Sequence, residues 1–270
     1  MNTLHRLWAF LVRDFYNETS YRFAFLISIG GVFLRALTFF FLSGFIESAT
    51  TPIADSYNGD YFSFVIIGIA LGGYFGTGLT SFANGLRQAQ VTGTLEALMM
   101  TPTAVSLIIL GSSLWSYVYT TFRVLLYLLI GALFLGLDLS NANYAAAILV
   151  LLLSIVSFAS IGIITASVIM VVKRGDPITA VFGSVANLVG GVFFPIAVLP
   201  GWLQVVANLL PLTYALRAMR AALLDGASWQ TIAPDALALL VFCVVLLPLS
   251  LFIFHYAVER ARQDGSLAQY

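Results

Sequence analysis

The sequence predicts an all-α, polytopic membrane protein with six transmembrane helices. Three observations carry this. Of the 270 residues 60% are hydrophobic and only 9% charged, where a soluble domain carries roughly 25% charged residues. Apolar runs near the ~20 residues needed to cross a hydrocarbon layer recur along the chain, separated by short polar loops. One apolar stretch, Gly190–Gly226, is interrupted by Gly190, Gly191, Pro195, Pro200 and Pro211. Proline removes a helix hydrogen bond and clashes with the preceding turn. That stretch therefore reads as a span that breaks and returns partway into the membrane as short helices. Non-helical backbone at such depth is tolerated only where protein covers it or it lines a wet cavity, so it should roof a pathway.

The chain is read as one permease domain over 1–270, with an interfacial helix in 1–22, six spans in 23–258 and a cytoplasmic tail in 259–270. In the first helix Leu4, Trp8, Leu11 and Phe15 fall on one stripe, with Arg6, Arg13 and Asn17 opposite. Such a helix lies in the membrane interface. The polar N-terminal residues argue against a cleavable signal peptide. The first span is Phe23–Ile46, with Arg35 at its middle. A loop with three acids and no basic residue follows, over 47–60. The second span, Tyr61–Asn84, holds Gly68, Gly72 and Gly76 at four-residue spacing, a ridge on which another helix can approach closely. Residues 85–103 form a polar break whose middle suits a short helix, with Val91, Leu95 and Leu98 on one side and Glu96 opposite. The third span is Ala104–Gly136, containing Arg123, and the fourth Tyr144–Val172. Lys173–Pro177 makes a charged turn. The fifth span starts at Pro177, a favourable first helical position, and runs into the broken stretch. The sixth span is Ala233–Val258, kinked at Pro248.

Orientation follows from the basic residues. With the N-terminus inside, Arg6, Arg13, Arg22, Arg87, Lys173, Arg174, Arg260 and Arg262 are all cytoplasmic, and only Arg217 and Arg220 fall outside. Lys and Arg favour cytoplasmic loops, so both termini are placed in the cytoplasm of an inner (plasma) membrane.

Composition also limits the chemistry. Formal net charge is zero, so no nucleic-acid partner is implied. His5 and His255 stand at opposite ends of the chain, which leaves no expected metal site. Cys243, the only cysteine, lies in an apolar run and reads as packing. The only lysine is followed by Arg174, so there is no G-x-x-x-x-G-K-[ST] phosphate loop. No acid lies well inside a span, which argues against proton coupling, and no acid or histidine cluster suggests an enzyme. Any ATP must be hydrolysed on another polypeptide.

The run FFPIAVLPGWLQVVANLLPLTYALRAMRAALLDG resembles the signature that follows the fifth span of ABC-2 type permeases, the membrane subunits of a class of ATP-driven exporters. The polar break with Gly93, Glu96, Leu98, Thr101 and Pro102 is similar to that family's first cytoplasmic loop. The resemblance implies a dimer of permeases, a homodimer in the simplest case, above two ABC ATPase subunits, which bind the ATP and magnesium; the chain itself needs no cofactor. It further implies that the first cytoplasmic loop is a coupling helix, with Arg87 and Glu96 as contacts to the ATPase. Lys173, Arg174 and Asp176 form a second candidate contact, or else merely fix topology.

An arginine at the bilayer centre costs about 2.5–3.5 kcal/mol on insertion scales. For Arg35 two readings stand open: snorkelling, or a place in a wet cavity where its guanidinium meets an anionic substrate group or lipid phosphate. For Arg123 the favoured reading is local satisfaction by carbonyls or snorkelling. If the family plan holds, the second and fifth spans line the cavity. Asn187 is then a pathway residue or a helix–helix hydrogen bond, and Phe193 and Phe194 an apolar plug. The expected function is the permease subunit of an ATP-driven exporter that moves an amphipathic lipid, glycolipid or hydrophobic drug by alternating access. The alternatives are a polysaccharide exporter permease, and an ion-coupled carrier or membrane scaffold acting without an ATPase.

Overall fold

The punctuation of the sequence governs where helices end. The computed structural model describes residues 3–20, 22–48, 60–91, 105–172 and 176–263, and among these there is helix and short connection but no strand. The elements are α1 (Thr3–Ser20), α2 (Arg22–Ser48), α3 (Tyr61–Val91), α4 (Val105–Phe134), α5 (Tyr144–Val172), α6 (Asp176–Val189), a 3-10 turn (Ile196–Val198), α7 (Gly201–Asn208), α8 (Pro211–Leu223) and α9 (Trp229–Gln263).

Five of the described helices, rather than six, are long and apolar enough to cross a membrane: α2, α3, α4, α5 and α9. The expected fifth span is the exception. α6 has 14 residues, which at about 1.5 Å per residue reach about 21 Å, short of a ~30 Å hydrocarbon layer. It stops at Val189 because Gly190 and Gly191 follow, and Gly191 adopts φ +92°, a conformation that costs other residues energy.

α3 is the central helix. Of its most apolar window 72% is buried, against 11% in α2. Tyr74, Phe75, Ile66, Ile67 and Leu79 fill the core around it. α3 crosses α5 where Gly78 meets Gly162: a Cβ on Gly162 would lie 1.7 Å from the Gly78 carbonyl oxygen. Small residues permit such approach in membranes. The expected glycine ridge is therefore partly displaced. Gly68 and Gly72 pack closely, but Gly76 faces open space, and Gly78 serves the helix crossing. On α5, Ser154, Ser157 and Ser160 are fully buried. The Ser157 hydroxyl lies 3.2 Å from the thiol of Cys243 on α9, so this cysteine does sit in packing.

Three expected boundaries move. α3 continues past Gly85 to Val91, since no proline intervenes before Pro102 and residues such as Arg87 and Gln88 favour helix. The expected short helix beyond it lies outside the described residues. α9 runs through Pro234 and Pro248 from Trp229 to Gln263, so the first residues of the expected tail are helical. α1 docks on α4 through Phe10, which the apolar stripe omitted. Phe10 is buried against Gly111, and Phe15 meets Trp115 edge-on at 5.8 Å. Trp8 stays exposed, as expected of an interfacial helix.

Candidate functional site: a roofed cavity between the spans

The roof is built from the residues after α6. Pro195 and Pro200 are extended and prevent helix from resuming until Gly201. α8 begins with Pro211 at its first turn, where the missing N–H is no loss. The Thr213 hydroxyl donates to the Ala207 carbonyl at 2.6 Å and Tyr214 to the Asn208 carbonyl at 2.9 Å, fastening α8 to α7. Leu212, Ala215, Leu216, Ala218, Met219 and Ala222 are buried, so α8 lies within the protein. Irregular backbone at this depth thereby has its cover.

Arg220 holds the roof down. Its guanidinium donates to the carbonyls of Phe64 (3.1 Å), Gly191 (2.9 Å) and Val192 (3.1 Å). It also sits over the Phe64 ring, 3.4 Å from the centroid. One side chain of α8 thus ties α3 to the turn after α6. Gly68 makes room, since a Cβ there would lie 2.1 Å from the Val192 oxygen. One turn away on α8, Arg217 forms a two-pronged ion pair with Asp235 of α9, a buried carboxylate.

The turn separates two hollows. On one side is a vestibule of about 760 Å³, lined by Gly190 and Gly191 together with Asp60, Asp138, Gln204, Arg217 and Arg220. The backbone N–H of Ser140 holds the Asp138 carboxyl below the usual carboxylate range. On the other side is a cavity of about 700 Å³ between α2, α3, α4 and α6, lined by Val192 and Phe193. That volume is within the usual range of small-molecule pockets. Its walls carry Arg35, Arg123, Tyr127, Thr120, Ser184 and Asn187 among apolar residues, and no acid.

Three of the four expected pathway residues meet here. Arg35 faces the cavity. Asn187 lines it, and its amide donates to the Gly183 carbonyl of its own helix at 2.9 Å rather than to a neighbouring helix. Phe193 lines it and stacks on Phe39 at 5.9 Å. Phe194 is not part of this cavity lining. Arg87 is exposed near the end of α3, far along the helix from the cavity-lining Gly72. Glu96, Lys173 and Arg174 lie outside the described residues, as does the side chain of Asp176.

Sequence reasoning gave Arg123 only a local role, and it gave Tyr127 and Arg220 no structural role. Of the two local readings of Arg123, the carbonyl hydrogen bonds do not form among the described residues. Its Nε is buried without a hydrogen-bond partner, and the side chain lines the same cavity as Arg35. The Tyr127 hydroxyl is likewise buried and unpartnered.

A helical membrane chain with a cavity between its spans that carries polar side chains and is bordered by a non-helical turn has the make-up of a transport permease. The family model of the ABC-2 type transporter matches residues 5–224, and the chain belongs to that family. It is accordingly a permease subunit of an ABC-type transporter, whose family implies an ABC ATPase subunit as partner. Curated proteins include no match to it.

Proposed function

We propose that the chain is the permease of an ATP-driven exporter for an amphipathic substrate, working by alternating access. The observation that carries the reading is the turn at 190–193, with a vestibule on one face and an intramembrane cavity on the other. Gly190 and Gly191 line the vestibule while Val192 and Phe193 line the cavity, so this short turn is the part whose displacement would join the two. Substrate enters the cavity between α2, α3, α4 and α6 from the membrane and leaves through the vestibule. The mixed lining of guanidinium, amide, phenyl and aliphatic groups supports a lipid, glycolipid or hydrophobic drug as cargo.

In this reading the N-terminus and the α3–α4 loop face the cytoplasm of the inner membrane, as does the tail, in keeping with the bias of Lys and Arg. α6 and the turn after it make up the sixth crossing. Two copies pair, and each rests on an ATPase. Arg87 and Glu96 flank the lever between α3 and α4, and Lys173, Arg174 and Asp176 form the second contact. ATP and magnesium reside on the partner. The exposed aromatic face of α2, with Phe23, Phe41 and Phe45, supports lipid or a second copy as its neighbour.

Arg35→Ala tests the path. Losing a hydrogen bond to a charged group costs about 1.5–3 kcal/mol. Transport of a fluorescent short-chain phospholipid into inverted vesicles supplied with external ATP should therefore fall on the order of tenfold. The melting temperature should hardly change, because Arg35 is exposed and makes no bond among the described residues. Equal losses of transport and of folded protein would reject its place in the path.

A further inference from the structure

Two guanidiniums line one intramembrane cavity with no carboxylate beside them. Arg35 comes from α2 and Arg123 from α4. Neither forms an ion pair or hydrogen bond among the described residues, and the Arg123 Nε is fully buried. The Tyr127 hydroxyl, one turn along α4 from Arg123, is also buried without a partner. Tyr127 itself is 3% exposed. Asn187 and Thr120 complete the polar wall. An unpaired buried charge is strongly unfavourable, and buried donors without acceptors each carry a penalty. Asn187 and Thr120 have partners of their own, which leaves two guanidiniums and one phenol without an acceptor, a place for an anion.

We infer that Arg35, Arg123 and Tyr127 form a binding site for the phosphate group of an amphiphile. This rests on the export reading and names the headgroup chemistry of its cargo. A phosphate monoester carries up to two negative charges and several acceptor oxygens, which match two guanidiniums and a phenol. The rest of the wall is apolar: Phe39, Ile69, Val124, Leu188, Val192 and Phe193. That wall suits a hydrocarbon chain and argues against a free ion. Gly72 and Gly73 keep the α3 side low. Arg35, the exposed member, meets the headgroup first, and Arg123 holds it deeper among the spans.

The test is ligand-dependent thermal stabilisation of the purified permease in neutral detergent, without any ATPase. Three probes are compared: dioctanoyl phosphatidic acid, dioctanoylglycerol and inorganic phosphate. The phosphatidic acid probe should raise the melting temperature in a saturable way, and the other two should not at equal concentration. Arg35→Gln and Arg123→Gln should each weaken the probe at least about tenfold, and Tyr127→Phe should weaken it less than either. Arg123→Met should leave the probe-free protein at least as stable as the parent, since it removes a half-buried guanidinium with no partner among the described residues, yet abolish the shift. A merely structural arginine would do the opposite. Arg35→Gln keeps the question open to refutation even if Arg123 variants fold poorly, because Arg35 is exposed.

Stabilisation by dioctanoylglycerol equal to that by phosphatidic acid would overturn the inference. So would unchanged binding in the Arg35→Gln protein. Stabilisation by inorganic phosphate alone would overturn the amphiphile and leave a free-anion site. Because no ATPase is present, loss of probe binding with ATP-driven export intact sinks only this site. Probe binding without any ATPase association sinks the export reading instead.

Discussion

Arg220→Ala should unseat the roof and cost on the order of 3 kcal/mol. The guanidinium satisfies the carbonyls of Gly191 and Val192, which belong to a turn with no helix to supply partners, and reaches the Phe64 carbonyl on α3 as well. Each acceptor left unpaired in a buried place costs about 1–3 kcal/mol, and the stacking on Phe64 is lost as well. Thermal melting followed by size-exclusion chromatography in detergent should show a drop of roughly 6–12 °C. Arg220→Lys should restore little, because an ammonium lacks the planar fork that bridges α3 and the turn. A variant as stable as the parent would mean the turn is held by other means.

Gly162→Ala should be comparably severe. Its Cβ would stand 1.7 Å from the Gly78 oxygen. The obstacle is backbone on a central helix, so no side-chain rotation relieves it. α3 and α5 must separate, and the edge-on contact of Phe75 with Phe158 at 5.1 Å goes with them. Overpacking typically costs 1–3 kcal/mol and occasionally more, and about 3 kcal/mol or above is expected here. Gly76→Ala is the matched comparison. Nothing lies within 4 Å of a Cβ there, and alanine is the better helix former by about 1 kcal/mol. It should therefore be neutral to stabilising in the same melting assay. If both variants behave alike, the crossing has been misplaced.

The contrast between these glycines shows what was legible in the sequence. Apolar length and spacing disclosed the long spans and their order, because lipid demands both locally. The proline and glycine punctuation disclosed the break after α6, since each such residue acts on its own backbone. Spacing alone could not say which glycines meet a neighbour. Gly68, Gly72 and Gly76 share one helix face by their four-residue period, yet the α3–α5 contact falls at Gly78, where the crossing angle puts it. The Arg217–Asp235 pair and the Arg220 clamp join residues distant in sequence, and nothing in the local pattern announces them. Arg35 and Asn187 were readable as odd polar residues within spans. That Arg123 shares their cavity depends on how α2 and α4 are rotated, which no periodicity in such uniformly apolar helices specifies. α6 misled for a related reason: its apolar run continues past Val189, and only the conformation of Gly191 ends the helix.

The central claim is that this chain is a conduit driven from outside itself. ATP hydrolysis and vesicle transport measured side by side, for the chain alone and for the chain with the ATPase that co-purifies from its native membrane, test that claim most directly. The account predicts no nucleotide turnover and no ATP-dependent transport from the chain alone, and both with the ATPase present. Turnover by the isolated chain, or transport by it under an ion gradient without nucleotide, would contradict the account.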